Sequence, residues 1–146
     1  TNTIILNQAI DNFNYTNISF DVKDFVLNFI RGLSLADGLS TLTDFTAFII
    51  YESIIKEFNF FKGDVLRILI CGGGRKNLML VDKIKEKLPK NIELILIDDF
   101  KIDGDFVESQ AFAYLAIRSY LKKPISFPQT TNVEMPCIGG DLAENY

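Results

Sequence analysis

The clearest pattern along the chain is a short apolar run that leads into three glycines and then into a helical repeat. The run from Val65 to Cys71 carries a single Arg and predicts a buried β-strand. Gly72, Gly73 and Gly74 follow it directly. The next segment, residues 78–88, has the spacing of one helix face at Leu78, Val81, Ile84 and Leu88. These positions predict a strand, a glycine-rich turn and a helix.

The glycine-rich turn is a candidate ligand site. Glycine adopts positive φ at little cost and lets a ligand approach backbone N–H groups closely. The N-terminus of the following helix directs its unpaired donors and the positive end of its dipole to the same place. Asn77 is a suitable N-cap for that helix. Such a corner suits a phosphate or the edge of a nucleotide, and the alternative is a tight turn without a ligand.

The remaining hydrophobic pattern predicts an α/β fold. Residues 93–97 are nearly all β-branched or Leu, which predicts a second strand. Helical spacing indicates further helices over residues 4–13, 21–32, 34–58 and 106–121. The strands lack strict alternation, as is typical of sheets covered on both faces. We expect a mixed sheet with flanking helices.

Periodicity also predicts which side chains these helices bury. Residues 34–58 open with a Ser-Leu-Ala-Asp capping box. The expected buried side of this helix is Leu35, Leu39, Leu42, Phe45, Ile49 and Ile55. Their polar neighbours are expected to face water or in part a ligand cleft: Thr41, Thr43, Asp44 and Glu52. In the last long helix, the expected core contacts are Phe112, Leu115, Ala116 and Tyr120.

An acidic loop, residues 98–105, follows the second strand. Ligands of such sheets sit beyond the carboxyl ends of the strands, where both this loop and the glycines are expected. The loop is not an EF-hand, because position 3 counted from Asp99 is Lys101 and position 12 is Gln110 instead of Glu. We expect structural roles for its carboxylates: Asp98 ends a strand, Asp103 and Gly104 make a turn, and Asp105 caps the last helix.

Composition narrows the possible functions. The chain has 146 residues, 48% of them hydrophobic, which fits one domain with a sizeable core. The net charge of -4 and pI ≈ 4.8 give no basic field for nucleic acid or an anionic membrane. No apolar run approaches the ~18 residues of a spanning helix. The absence of His excludes His-based triads and zinc sites. Two cysteines fit reduced, cytoplasmic thiols.

Motif comparison leaves two other function classes open. The glycines do not form a P-loop, but residues 72–77 read GxGxxN and Asp98 ends the next strand, which is close to a dinucleotide fingerprint. One alternative is therefore a Rossmann-like domain that binds NAD or S-adenosylmethionine, although such units open with the glycine-bearing strand and not after two helices. The other is a non-enzymatic interaction module whose glycines only turn the chain.

Four blocks of residues carry a resemblance to a known family. Residues 34–47 read SLADGLSTLTDFTA, residues 70–77 read ICGGGRKN, residues 98–116 read DDFKIDGDFVESQAFAYLA, and Gly139-Gly140 lies near the end of the chain. In this order they resemble the C-terminal half of the anhydro-N-acetylmuramic acid kinases, with their S-P-E-D…T-L-T-x-F-T-A, V-C-G-G-G-x-x-N and D-E-x-G-I-x-G-D-x-x-E-A-x-A-F-A-x-L-A segments. The chain departs from the family at Leu35 (Pro), Asp99 (Glu), Lys101 (Gly) and Asn132 (Gly), and in residues 141–142.

The resemblance implies a ribonuclease-H-like lobe of the actin-like, Hsp70-like and sugar-kinase superfamily. This C-terminal lobe would span residues 1–146, with peripheral segments at 1–20 and 122–146, in a longer two-lobe kinase. The family hydrolyses 1,6-anhydro-N-acetylmuramic acid and phosphorylates O6 with ATP and Mg²⁺, which gives N-acetylmuramic acid 6-phosphate.

The resemblance also implies the roles of individual residues. Gly72, Gly73 and Gly74 would contact the adenosine end of ATP, Asn77 would approach the nucleotide, and Glu108 would contact the sugar. The general base and the main phosphate-binding loops belong to the N-terminal lobe, so no catalytic residue or metal ligand is assigned in this chain. The chain alone is expected to be inactive, to expose apolar surface, and to be a candidate for homodimer formation.

Overall fold

The structure is a computed structural model that describes residues 1–11, 13, 27–58, 65–141 and 143. It forms two compact units, one of Thr1–Asn14 with Phe25–Asp105 and the other of Tyr15–Asp24 with Phe106–Tyr146. Residues 21–26 of one predicted helix and the predicted linker at 59–64 lie outside the described residues. That helix is described only as a 3-10 turn, Leu27–Ile30, after which Gly32 takes the positive φ expected beyond a helix end.

The described residues of the first unit form two parallel strands and three α-helices. Its elements are α1 (Thr3–Asp11), α2 (Leu35–Phe58), β1 (Leu66–Ile70), α3 (Leu78–Lys87) and β2 (Ile92–Leu96). β1 and β2 pair in parallel, with Leu66 opposite Ile92 and Ile70 opposite Leu96. A parallel pair needs a crossover connection, and α3 provides it. The predicted α/β class with flanking helices is confirmed, and the described sheet is a parallel pair where a mixed sheet was expected.

The core of the first unit lies between α2, α3 and the sheet. Its buried members are Ala47, Val81, Ile84 and Leu94. They come from α2, α3 and β2, so the core packs the helices against the sheet. Leu78 was expected on the same face of α3 but is 72% exposed, because it is the first residue of the helix and lies beside the turn.

The buried side of α2 differs from the prediction. Leu35 is 80% and Leu39 57% exposed, whereas Thr41 is fully buried and Asp44 is 8% exposed. The expectation that these two polar residues face water is therefore wrong. Only further along does the helix bury an apolar face, which includes Phe45.

Polar partners explain why α2 buries Thr41 and Asp44. The Thr41 hydroxyl accepts a hydrogen bond from the backbone N–H of Asn2, at 3.0 Å. Asp44 pairs with Lys83 of α3 at 2.5 Å and accepts a hydrogen bond from the Thr1 hydroxyl. Burial alone would raise the pKa of Asp44, but the hydrogen bonds from Lys83 and Thr1 outweigh it and lower this pKa.

The second unit contains α4 (Val107–Tyr120) and the short α5 (Pro128–Thr131). One antiparallel bridge joins Ser126 to Cys137. No residue of α4 is buried, and the expected core contacts Phe112 and Tyr120 are 64% and 69% exposed. The prediction of a packed α4 is wrong, since the described part of this unit adds only a four-residue helix and one bridge, which form no second layer. Within the described residues, no helix is long and apolar enough to cross a membrane.

Candidate functional site

The glycine corner, residues 72–77, connects β1 to α3. Gly72 has φ 75° and ψ 177°, and Gly73–Lys76 form a single 3-10 turn. Asn77 caps α3, since its side chain accepts a hydrogen bond from the backbone N–H of Leu80 at 3.2 Å. The predicted cap is confirmed. Only Gly72 needs the positive φ that glycine permits.

The outer side of the glycine corner is open. Gly73 and Gly74 are exposed, and within the described residues their N–H groups donate no hydrogen bond. A Cβ added at Gly73 would meet no atom within 4 Å. Asn77, next in the corner, is also exposed. Two exposed residues therefore offer backbone donors from which a ligand could accept.

The inner side of the glycine corner is held by Arg75, which the sequence interpretation did not single out. Its side chain is 6% exposed. Nε donates to Asp98 Oδ2 at 2.7 Å and Nη2 to Asp98 Oδ1 at 2.9 Å, a two-bond fork. Nη1 donates to Asp105 Oδ1 at 2.6 Å. The sequence contained a signal for this contact. An Arg follows one strand and aspartates follow the next, and the carboxyl ends of parallel strands lie at the same edge of a sheet.

Arg75 also explains why residue 104 is a glycine. Gly104 is buried, and a Cβ there would lie 2.7 Å from Arg75 Cζ. The Gly104 carbonyl accepts a hydrogen bond from the N–H of Gly72 at 2.9 Å, while the Gly72 carbonyl accepts one from Arg75 Nη1 at 2.9 Å. The acidic loop and the glycine corner are thus joined by backbone and side-chain bonds.

Carboxylates surround the two cations of this contact. Hydrogen bonds from Arg75 hold the pKa of Asp98 at about 2, and those from Arg75 and Lys76 lower the pKa of Asp105. The same bonds raise the pKa of Arg75. Lys76 Nζ lies 2.5 Å from Asp105 Oδ2. Arg75 Nη2 also lies 3.7 Å from Asp103 Oδ1. Two cations therefore face three carboxylates, so the corner offers a ligand backbone donors without excess positive charge.

The acidic loop differs in one respect from its expected structural roles. Asp98 lies just beyond β2, in a 3-10 turn formed by Ile97–Phe100. Asp103 makes the predicted turn by accepting the N–H of Asp105 at 2.9 Å. Asp105, however, does not cap α4. The N-cap of that helix is Phe106, which makes no side-chain cap bond, and the Asp105 carboxylate is bound by Arg75 and Lys76.

Two departures from the resembled family fall at left-handed residues. Lys101 has φ 61° and Asn132 has φ 55°, and both stand where that family has Gly. Asn tolerates this conformation, whereas Lys is strained in it. The acidic loop thus keeps a conformation that favours glycine, although it carries Lys at this point.

Glu108 lies in the first turn of α4, in the second unit, and is exposed. Its role as a sugar contact stays a prediction. The structure brings Gly72, Gly73, Gly74 and Asn77 together at one corner of the first unit, and their role in nucleotide binding also stays a prediction. In the second unit, an open cavity of about 290 Å³ lies between the end of α4 and the Gly139-Gly140 pair.

Parallel strands joined by a helix, with a glycine turn at their carboxyl edge, define an α/β protein of the type that carries ligands at this edge. The profile of the anhydro-N-acetylmuramic acid kinase family matches residues 10–144. The chain belongs to this family, which is part of the sugar kinase and ATPase superfamily.

Individual relatives give the same result. A protein of Pelagibacter ubique named anhydro-N-acetylmuramic acid kinase is 63% identical over 150 residues, which covers the whole chain and 40% of that relative. Proteins of the same name from Zymomonas mobilis and Rhizorhabdus wittichii are 40% and 38% identical over 85% and 84% of the chain, and 32% of each is covered. The chain spans well under half the length of the curated relatives it matches.

Proposed function

We propose that this chain is the ATP-binding, C-terminal lobe of a kinase that converts 1,6-anhydro-N-acetylmuramic acid into N-acetylmuramic acid 6-phosphate. The family match over residues 10–144 carries the proposal. In this reaction, water opens the 1,6-anhydro bridge and O6 receives the γ-phosphoryl group of ATP. ADP is the second product.

The glycine corner supports a contact with the adenosine end of ATP. Gly73 and Gly74 present free backbone N–H groups within the described structure, and these can donate to ribose or base acceptors. Arg75 is neutralised by Asp98 and Asp105, so the corner lacks the positive charge that suits a triphosphate. Asn77 remains a candidate contact beside its role as a helix cap.

The acidic loop does not fit Mg²⁺. Both oxygens of Asp98 and both of Asp105 accept hydrogen bonds from Arg75 or Lys76. The described residues contain no group of three potential ligands that could hold a metal ion. The proposal therefore assigns Mg²⁺ and the general base to the N-terminal lobe, and no residue of this chain is given a catalytic role.

The exposed apolar surface of α4 supports the proposal that a second lobe covers it. Its aromatic residues Phe112 and Tyr120 are exposed, as is Ile117 at 59%. The relatives are much longer than this chain, so we propose that the N-terminal lobe of the same protein covers this surface. A homodimer is the alternative occupant. Two free cysteines are compatible with a cytoplasmic location, which the proposal includes.

The Rossmann-like alternative has less support. A dinucleotide site uses the acidic residue after the second strand to bind ribose hydroxyls. Here that residue, Asp98, has both carboxylate oxygens bound by Arg75. A ribose would have to displace a charge-assisted fork, so the structure favours the kinase.

The proposal is tested with the protein encoded by the complete reading frame. ATP, Mg²⁺ and 1,6-anhydro-N-acetylmuramic acid are supplied, and sugar 6-phosphate and ADP are measured. Glu108→Ala tests the proposed sugar contact, and Glu86→Ala, at an exposed carboxylate on α3, is the matched control. We expect Glu108→Ala to lower kcat/KM about a hundredfold or more and the control to leave it unchanged.

Different results would contradict different parts of the proposal. A complete protein that binds ATP but does not turn over this sugar would remove the substrate assignment. Equal activity of the Glu108→Ala and Glu86→Ala variants would remove the role of Glu108. Failure to bind any nucleotide would favour the interaction module.

A further inference from the structure

We propose that Arg75 is a positioning residue for the nucleotide, which holds the glycine corner in a binding-competent conformation without touching the ligand. This inference rests on the proposed function, because it requires the corner to bind ATP. A basic residue beside a glycine turn would ordinarily be expected to contact phosphate directly. Arg75 cannot do so, since its side chain is only 6% exposed and its donors point into the acidic loop.

The contacts of Arg75 require an arginine. Nε and Nη2 form a fork with the two oxygens of Asp98, and Nη1 bonds to both Asp105 and the Gly72 carbonyl. One planar group therefore binds three partners in three directions. A lysine has the charge but presents its donors from a single nitrogen, so it cannot form the fork and reach the other partners together.

These contacts fix the residue on which the corner turns. Both polar backbone groups of Gly72 are used: its carbonyl by Arg75 and its N–H by the Gly104 carbonyl. Gly72 is also the residue with positive φ in the corner. Fixing it sets the direction of the Gly73 and Gly74 N–H groups before a ligand arrives, and pre-set donors need no further ordering on binding.

Loss of the fork would weaken the link between the glycine corner and the acidic loop. Without the guanidinium, the Gly72 carbonyl loses its side-chain donor, and the link rests on the bond from the Gly72 N–H to the Gly104 carbonyl and on the pair of Lys76 with Asp105. The geometry therefore predicts weaker ATP binding, with no direct effect on the sugar.

Arg75→Lys in the complete protein tests this inference, with Arg67→Lys as the matched control. Arg67 lies on β1, forms an exposed pair with Glu93 at 3.1 Å, and is outside the corner. KM for ATP, KM for the sugar, kcat and the melting temperature are measured for each. We expect Arg75→Lys to raise KM for ATP about tenfold, because donors that are no longer preset must be ordered when ATP binds. KM for the sugar and all values for Arg67→Lys should stay within about twofold of the wild type.

Asp105→Asn is a milder second variant. It keeps the fork to Asp98 and removes one charged partner of Arg75, so it remains informative even if Arg75→Lys does not fold. We expect a rise of about threefold in KM for ATP. An unchanged KM for ATP in the folded variants, with only a lower melting temperature, would overturn the inference and leave the proposed function intact. A wild-type protein without ATP-dependent activity or ATP binding would overturn the proposed function, and this inference with it.

Discussion

Helices α3 and α4 each follow a strand and a turn in the chain, but they are stabilised differently. α3 is capped by Asn77, and it buries Val81 and Ile84 against α2 and the sheet. α4 begins at Phe106 without a side-chain cap and buries no residue. Both contain enough apolar residues for a core. The difference lies in what surrounds them, since most helix stability in proteins comes from packing.

The acidic loop accounts for the missing cap. Asp105 is the residue nearest to the start of α4 that could cap it, but its carboxylate bonds to Arg75 and Lys76. Here the carboxylate has two cationic donors, whereas a helix N-terminus would offer it only neutral backbone N–H groups. The cationic donors therefore hold the side chain away from α4. Asp105 thus stabilises the glycine corner at the expense of the next helix.

Isoleucine truncation should give the largest contrast between the helices. Ile84 of α3 is 4% exposed, and Ile117 of α4 is 59% exposed. Ile84→Ala should lower the free energy of unfolding by about 2–5 kcal/mol, because it leaves a cavity in the core. Ile117→Ala should change it by less than about 0.5 kcal/mol. Urea unfolding of this chain, followed by circular dichroism, measures both, and equal losses would contradict the comparison.

A methyl group at Gly104 should have an intermediate effect on the contact that holds the glycine corner. Gly104→Ala would place Cβ 2.7 Å from Arg75 Cζ and push the guanidinium from its partners. We expect a loss of about 1–3 kcal/mol in unfolding free energy.

Gly38→Ala is the matched control for this substitution. It lies in α2, and a Cβ there meets nothing within 4 Å. It should stabilise the chain by about 0.5–1 kcal/mol, because Ala loses less backbone entropy in a helix. Destabilisation by both substitutions would show that the Arg75 contact is not the cause.

Acid should weaken the contact between Arg75 and Asp98. We expect a smaller effect on the free energy of unfolding than from the substitutions above, because Asp98 is partly exposed. The pKa of Asp98 is about 2 in the folded chain and 3.8 in its ordinary state. A depressed carboxyl pKa stabilises the fold above the ordinary value, and this contribution is lost as the pH falls from about 4 towards 2. Asp98→Asn should reduce the slope of unfolding free energy against pH in this window. An unchanged slope would exclude Asp98 as the titrating group.

Local patterns in the sequence predicted the elements well. The glycines after an apolar run marked β1 and the turn, and the first residue of α3 was placed correctly. Asn77 was predicted and found as a cap. These features depend on residues within a few positions of each other, where propensity and side-chain bonding to the local backbone decide the conformation.

Long-range partners decided what the local pattern could not. Thr41 and Asp44 looked exposed by periodicity, but Asn2 and Lys83 supply the bonds that allow their burial. Arg75 looked like an unspecified turn residue, yet it is 23 positions from Asp98 and bonds to it.

The sequence by itself determined the α/β class, the strand–turn–helix unit and the family membership, because each depends on short blocks of residues in a fixed order. Only the tertiary structure decided that Arg75 joins the glycine corner to the acidic loop and that α4 lies without a buried face. Both depend on which surfaces the folded chain brings together. A burial pattern follows from the neighbours of an element, and those neighbours are set by the whole fold.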